Sequence, residues 1–97
     1  MDLHHLETVI AIVEEGTLSA AARRRHLSQP AVSMQVRALE EELGTPLFER
    51  GGRAVSPTQA GLALVRHSRD ALTAVEAARS EVSELRGLAR GALRLGA

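Results

Sequence analysis

A break of four residues, 26–29, separates two helical segments of this chain and leaves room only for a tight turn between them. The first segment is rich in alanine and ends in three arginines at 23–25. The second can begin with Ser28 as a cap, because a serine hydroxyl accepts from the free N–H groups of a first turn, where Pro30 is also tolerated. Two helices joined by so short a turn predict a helix-turn-helix.

The second helix of this motif carries a buried stripe and a separate polar face. Apolar residues recur at steps of four, three and four, at Val32, Val36, Leu39 and Leu43. On another face, Gln29, Ser33 and Arg37 step by four; we call these three residues the reading face. Amide, hydroxyl and guanidinium groups are those that contact base edges and phosphates in a DNA major groove, so this face predicts binding of double-stranded DNA.

The composition favours one small, mostly helical domain. The chain has 97 residues, of which 44% are hydrophobic and 25% charged, which predicts a folded domain with a modest core. Phe48 is the only aromatic residue, so the core must consist of Ala, Leu and Val at helical spacings. Cysteine is absent and the four histidines lack ligand spacing, so we expect no metal and no cofactor.

The chain carries no signal for export or membrane insertion. No apolar run approaches the ~20 residues that cross a bilayer, and the N-terminus lacks the pattern of a secretion signal. These observations predict a cytoplasmic protein without membrane contacts.

The charge is zero overall but unevenly distributed. Residues 1–15 carry four acidic and no basic residues, whereas four arginines and no acid lie between Gly16 and Arg37. A local basic surface is what phosphate binding requires, whatever the total. All twelve basic residues are arginine, which suits bidentate contacts to phosphate and guanine, but GC-rich coding would give the same count.

Periodicity and capping residues predict a winged fold over residues 1–58. A first helix over residues 3–15 has its apolar stripe at Leu3, Leu6, Ile10 and Val13. Thr17 can cap a second helix at 18–25, and the reading helix should end at Gly44. Two short segments around Gly51 and Gly52 predict a β-hairpin wing. The predicted class is mostly α: three helices plus a short hairpin, followed by a long helix.

That long helix, residues 59–88, carries a heptad pattern that predicts dimerisation. The residues of this seam are Leu64, Ser68, Ala71, Val75, Ala78, Val82 and Leu85. A helix of this length cannot pack entirely on so small a domain, so we expect the seam to bind a second copy. The alternative is that the helix lies on residues 1–15 of its own chain. Residues 89–97 predict a hinge and the start of a strand, as if the chain were the first part of a longer protein.

Five blocks of sequence, in one order, resemble the LysR-type transcriptional regulators of bacteria. The blocks are 15–22 (EGTLSAAA), 27–33 (LSQPAVS), 39–44 (LEEELG), 47–50 (LFER) and 58–61 (TQAG). The resemblance implies a winged helix-turn-helix, a linker helix that dimerises antiparallel, and an effector-binding domain beyond this chain. It therefore implies a homodimer on a dyad-symmetric DNA site, tetramers only in a full-length protein, and no small-molecule effector on this segment.

The resemblance also implies DNA contacts by the reading helix. It places Ser28, Gln29 and Pro30 at the mouth of the major groove, and Ser33 and Arg37 against bases or phosphates along the same helix. For Arg37 we favour a phosphate contact, and the alternative is an ion pair with Glu40 or Glu41 on the same helix. We expect Glu40 to turn towards the arginines.

Further contacts are implied outside that helix. Arg50 and Arg53 should flank the wing, with Arg53 entering a narrow A·T-rich minor groove. Thr17 and Ser19 are expected to anchor phosphates. Arg23 and Arg24 are as well explained by a solvated helix face.

Two residues depart from the family pattern. Met34, which we count among the DNA-contacting positions, stands where the family commonly has a basic residue, so one contact should be lost. Arg25 stands where the family commonly buries a leucine, and its stem could cover the core while the guanidinium reaches solvent. We expect leucine at this position to stabilise the domain, unless the arginine has a specific partner.

Two other classes of function are weaker. A protein-interaction module built on the seam would dimerise without specific affinity for duplex DNA, and a gel-shift titration against salt would separate it from a DNA-binding protein. An enzyme has little support, because the sequence offers no nucleophile–base arrangement, no Gly-rich phosphate loop and no metal set.

Overall fold

The computed structural model describes residues 1–51 and 54–96 and places them in four helices and a hairpin. The helices are α1 (Leu3–Glu15), α2 (Leu18–Arg25), α3 (Gln29–Leu43) and α4 (Gln59–Gly96). The strands β1 (Phe48–Arg50) and β2 (Val55–Pro57) pair antiparallel, with Glu49 opposite Ser56. The predicted class, a winged helix-turn-helix followed by a long helix, is confirmed. No helix in the described ranges is both long and apolar enough to cross a bilayer.

The helix-turn-helix is fixed by local hydrogen bonds at its caps. The hydroxyl of Thr17 accepts from the backbone N–H of Ala20 (3.1 Å), and that of Ser28 accepts from Ala31 (3.2 Å). Between α2 and α3, His26 adopts a left-handed conformation with φ of 56°. Because this left-handed residue ends α2 and changes the direction of the chain, α3 can begin three residues later at Gln29, as the short break in the sequence predicts.

Helix α1 is the centre of the core, since α2, α3, α4 and β2 all contact it. Its side chains Thr8, Val9, Ala11 and Ile12 are completely buried. A single stripe at helical spacing predicts burial of one face only, and its first member, Leu3, is instead 37% exposed. Burial extends beyond the predicted stripe because four elements surround α1 and cover its other faces. Leu3 is exposed because the first turn of α1 extends beyond these elements.

The junction of α3, the wing and α4 is built around Leu47, which is completely buried. Its N–H donates to Glu40 Oε2 (2.8 Å), and its carbonyl oxygen accepts from the N–H of Thr58 (2.9 Å). The expectation that Glu40 turns towards the arginines is therefore wrong, because the free N–H of Leu47 holds its carboxylate. A Cβ on Gly61 would overlap the carbonyl oxygen of Leu47, so α4 can begin here only with glycine at this position.

Helix α4 is longer than predicted. The sequence indicates a hinge and a strand start over residues 89–97, but the helix continues to Gly96, and Ala97 lies outside the described residues. Gly87 and Gly91 each cost a helix only about 1 kcal/mol relative to alanine. The Ala, Leu and Arg residues around them favour helix, and an isolated strand has no partner to pair with.

The predicted dimerisation seam is divided by the way α4 packs. In the first half of the helix, Ser68 is only 2% exposed and Leu64 packs partly buried against the core. Ala71 and Val75 are half-buried. For this half, the intramolecular alternative is correct, since α4 contacts α1, and Ser68 is not accessible to a second copy. The remaining members are exposed, and we call them the outer seam: Ala78, Val82 and Leu85.

The hydroxyl of Ser68 is buried in this packing, and its Oγ makes no hydrogen bond to any residue that the structure describes. We expect Ser68→Ala to raise the free energy of unfolding, because the variant no longer buries a hydroxyl without a hydrogen bond. The increase should exceed by about 1 kcal/mol the gain that alanine brings through its higher helix propensity. Ser80→Ala is the matched control, because Ser80 is exposed on the same helix. Urea unfolding of the three proteins measures the difference. A loss of stability in Ser68→Ala would show that the hydroxyl has a partner.

Candidate nucleic-acid interface

The reading face lies on α3 beside the buried stripe, with both of its ends at the surface. Gln29 and Arg37 are exposed and Ser33 is half-buried. The buried stripe occupies another face of the helix: Val32, Val36 and Leu39 are at most 2% exposed. Within the described residues, no hydrogen bond or ion pair engages the three reading-face side chains, so Arg37 does not form the ion pair considered for it. Their amide, hydroxyl and guanidinium groups are open to an external partner.

Other predicted residues of α3 are exposed on its first two turns. Ser28 and Pro30 are exposed at the N-terminus of the helix, where Ser28 is already used as the cap. Met34 is 69% exposed directly after Ser33. The structure therefore brings these residues to one surface with the reading face, at an end of the helix whose dipole favours anions.

The predicted phosphate anchors of α2 are placed differently from each other. Ser19 is exposed, whereas Thr17 is half-buried and its oxygen accepts from Ala20 as a helix cap. A threonine hydroxyl has one proton besides its lone pairs, so Thr17 can cap the helix and still donate to a phosphate oxygen.

The wing follows α3 through the loop at Pro46. Arg50 is the last residue of β1 and lies opposite Val55 in the hairpin. Arg53 lies outside the described residues, and its contact with a minor groove stays a prediction.

Arg24 pairs with the acids at the end of α1 within its own chain. Its Nη1 lies 2.7 Å from Glu14 Oε1 and 3.2 Å from Glu15 Oε2. Glu14 Oε2 also accepts from Nη2 of Arg69 on α4 (3.0 Å). The hydrogen bond from Arg24 lowers the pKa of the Glu14 carboxyl below its usual value, although desolvation opposes this. These pairs join α1, α2 and α4 at the surface and offset the acidic charge of residues 1–15.

Arg25 has three specific partners, which the sequence did not reveal. Its Nη1 donates to Glu7 Oε2 (2.7 Å), its Nε to Thr8 Oγ1 (3.3 Å), and its Nη2 to the carbonyl oxygen of His4 (3.3 Å). Thr8 Oγ1 in turn donates to Gln35 Oε1 on α3 (2.5 Å). The expected gain from leucine at position 25 assumed a guanidinium without partners, and that assumption is wrong.

Two signals in the sequence point to this network in retrospect. Thr8 is a hydroxyl within the apolar α1, and buried hydroxyls require hydrogen-bond partners. Gln35 lies three residues after Val32 and four before Leu39, so it borders the buried stripe of α3. Neither residue indicates which side chain it binds, because α1, α2 and α3 are brought together only by the fold.

The fold and the open polar face of α3 define a winged helix-turn-helix DNA-binding domain. Residues 3–62 match the family described as "Bacterial regulatory helix-turn-helix protein, lysR family". The match covers more than half of the chain, and the chain belongs to this family.

Curated relatives are similar along nearly all of the chain. The SDS degradation transcriptional activation protein of a Pseudomonas species is 45% identical over 96 residues, which cover 99% of this chain and 31% of that protein. The transcriptional regulator TfdS of Cupriavidus pinatubonensis is 44% identical over 91 residues, covering 94% and 30% respectively. The chain thus spans about a third of the length of the curated relatives it matches. These relatives are transcriptional regulators and not enzymes.

Solved structures with the same fold include complexes with DNA. The DNA-binding domain of BenM on benA site 1 DNA superposes with a TM-score of 0.83 at 36% identity, covering 88% of this chain and 96% of that chain. The complex of the CbnR DNA-binding domain with DNA gives a TM-score of 0.75 at 37% identity, covering 87% and 99%. Vibrio fischeri DarR in complex with DNA gives 0.84 at 28% identity, covering 91% of this chain and 30% of that chain.

Proposed function

We propose that this chain recognises a dyad-symmetric DNA site as a homodimer and thereby controls transcription. The proposal rests on the reading face, whose side chains are accessible on α3. The same fold occurs in DNA-binding domains that have been solved in complex with DNA. Gln29 would contact a base edge, since a glutamine amide matches adenine in the major groove, and Arg37 would bind a phosphate or a guanine through its guanidinium. Ser33 between them would contact a base or a phosphate.

The remaining predicted contacts surround this surface. Ser28 and Pro30 would lie at the groove entrance, and Met34 would contribute an apolar contact in place of a charged one. The other contacts would bind phosphates or the minor groove and so set the affinity and its dependence on salt: Thr17, Ser19, Arg50 and Arg53.

Dimerisation would use the outer seam together with the half-buried Val75. Val82 and Leu85 are 64% and 59% exposed, and Leu88 one turn further on is 70% exposed. A monomer rarely exposes such a row, and an antiparallel twin of α4 would cover it. We retain the division into a DNA-binding domain (1–58), a linker helix (59–88) and a hinge (89–97), although the last segment is helical over 89–96 in the structure.

Other features of a complete regulator follow from the family. In a full-length protein we expect tetramers and an effector domain that binds the small molecule. The protein would act in the cytoplasm, where the bacterial chromosome lies.

Selection of duplexes from a random pool tests the proposed recognition. We expect an enriched half-site, repeated with dyad symmetry, and a logarithm of affinity that falls linearly with the logarithm of the salt concentration. Protection of all sequences alike would contradict base recognition. Dimers without any preference for a sequence would support the protein-interaction module instead.

Gln29→Ala tests the assignment of one base contact. We expect it to reduce the preference for the selected duplex over a shuffled one by about tenfold, because a bidentate amide–adenine pair is lost. The salt slope should not change, since no phosphate contact is removed. Gln59→Ala is the matched control, because Gln59 is also an exposed first residue of a helix. An equal preference in both variants would contradict the assignment.

A further inference from the structure

Two adjacent arginines of α2 bind acids of α1, but only one of them is connected to α3. Arg24 reaches Glu14 and Glu15, and its side chain is 42% exposed. Arg25 reaches Glu7, is 22% exposed, and extends inward to Thr8. From Thr8 the hydrogen bonds continue to α3, so the two neighbouring arginines have different structural roles.

The direction of these hydrogen bonds is set by chemistry. A guanidinium only donates, so Thr8 Oγ1 must accept from Arg25 Nε, and its single proton goes to Gln35 Oε1. Gln35 therefore turns its oxygen inward and its NH₂ away from Thr8. The Thr8 side chain is completely buried, so water cannot replace either partner.

Arg25 also occupies the other acceptor within reach of the Thr8 hydroxyl, the carbonyl oxygen of His4. A threonine within a helix can donate to the carbonyl oxygen four residues earlier, which is that of His4. That oxygen already accepts the helical N–H bond of α1, and Arg25 Nη2 donates to it as well at 3.3 Å. Since a carbonyl oxygen has two lone pairs, the Thr8 proton is directed to Gln35 instead.

Gln35 lies in the sequence midway between Ser33 and Arg37 of the reading face. Apart from Glu40, whose carboxylate accepts from the N–H of Leu47 in the last turn of the helix, the rest of the contact between α3 and the core is made by apolar side chains such as Val32 and Val36, which do not specify a direction. A hydrogen bond does specify one, because it weakens steeply away from linear geometry. The bond from Thr8 therefore orients α3 where the reading face lies, between Ser33 and Arg37, whereas the bond of Glu40 holds the last turn of the helix.

We propose that Arg25 is a positioning residue for base recognition, which acts through Thr8 and Gln35 without contacting DNA. The proposal rests on the proposed function and adds a residue that determines its specificity. A recognition surface must be held within about 0.5 Å and 10–20° to act, which apolar packing alone does not guarantee.

The test measures the affinity of Arg25→Leu and of Arg24→Leu for two duplexes, one selected by the wild-type chain and one with a shuffled sequence. The measurements are made well below the melting temperature of each variant. We expect Arg25→Leu to lower the ratio of the two affinities by about tenfold with an unchanged salt slope. Arg24→Leu should leave the ratio unchanged, even where it lowers the melting temperature. Arg25→Lys keeps the charge beside Glu7 without the forked donors, and it replaces Arg25→Leu should that variant not fold.

A double variant separates positioning from mere stabilisation. Thr8→Val should lower the ratio as Arg25→Leu does, and the two together should cause no further loss, because both interrupt one chain of hydrogen bonds. Additive losses, or an unchanged ratio in Arg25→Leu, would overturn the proposal.

The protein without DNA provides an independent readout. We expect the side-chain amide resonances of Gln35 in ¹⁵N spectra to shift in Arg25→Leu and to stay in place in Arg24→Leu. Unshifted Gln35 resonances would overturn the positioning role. A wild-type chain that prefers no duplex would instead overturn the proposed function, while the Gln35 resonances would still decide whether Arg25 orients α3.

Discussion

Replacing Gly61 by alanine will lower the free energy of unfolding by about 3 kcal/mol, because the new methyl group overlaps backbone atoms that cannot move independently. The overlap is with the carbonyl oxygen of Leu47, and the carbonyl carbon lies 3.2 Å from the same position. That oxygen accepts from the N–H of Thr58, so a shift that relieves the overlap also breaks the bond that begins α4. A domain of this size has about 5–15 kcal/mol of stability in total, so the loss is large.

Gly87→Ala is the matched control for this prediction. Gly87 lies in the same helix, and a Cβ there would meet no atom within 4 Å. We expect this variant to gain up to about 1 kcal/mol from helix propensity. Thermal unfolding followed by circular dichroism should separate the two variants by a melting temperature difference on the order of 20 °C. A Gly61→Ala protein as stable as the wild type would contradict the close approach of α4 to Leu47.

Placing a charge in the outer seam should abolish dimerisation and with it most of the affinity for DNA. In Val82→Glu a carboxylate would be buried opposite an apolar partner helix, which costs several kcal/mol. We therefore expect the dimer dissociation constant to rise by about a hundredfold or more. The affinity for a two-half-site duplex should fall by a similar factor, because the second half-site is no longer bound at a high effective concentration.

Ser80→Glu controls for the added charge. Ser80 is exposed two residues before Val82, on the face of α4 away from the outer seam, so it should leave the dimer intact. Analytical ultracentrifugation gives the oligomeric state, and a gel shift with one or two half-sites gives the affinity. A dimeric Val82→Glu protein would show that the copies associate elsewhere.

The parts of the fold that the sequence predicted correctly are determined by local interactions. The caps at Thr17 and Ser28, the turn at His26 and the stripe of α3 each depend on residues a few positions apart, so their spacing is sufficient to place them. The reading face follows from the same spacing, because a step of four residues keeps side chains on one side of a helix.

The features that the sequence missed depend on residues distant in the chain. The partners of Arg25 come from α1 and α3, and only the packing of all three helices brings them together. Whether Ser68 faces its own core or a second copy depends on where α4 crosses α1, which a heptad pattern does not specify. The continuation of α4 to Gly96 was missed because glycine weakens a helix without ending it.

A crystal structure of this chain with its selected duplex would show whether the reading face contacts DNA. We expect α3 in the major groove, with the Gln29 amide within hydrogen-bond distance of a base edge and the Arg37 guanidinium against a phosphate or a base. We also expect two copies related by the dyad of the DNA. A complex in which Gln29, Ser33 and Arg37 face solvent or a second protein copy, while another surface holds the DNA, would contradict this expectation.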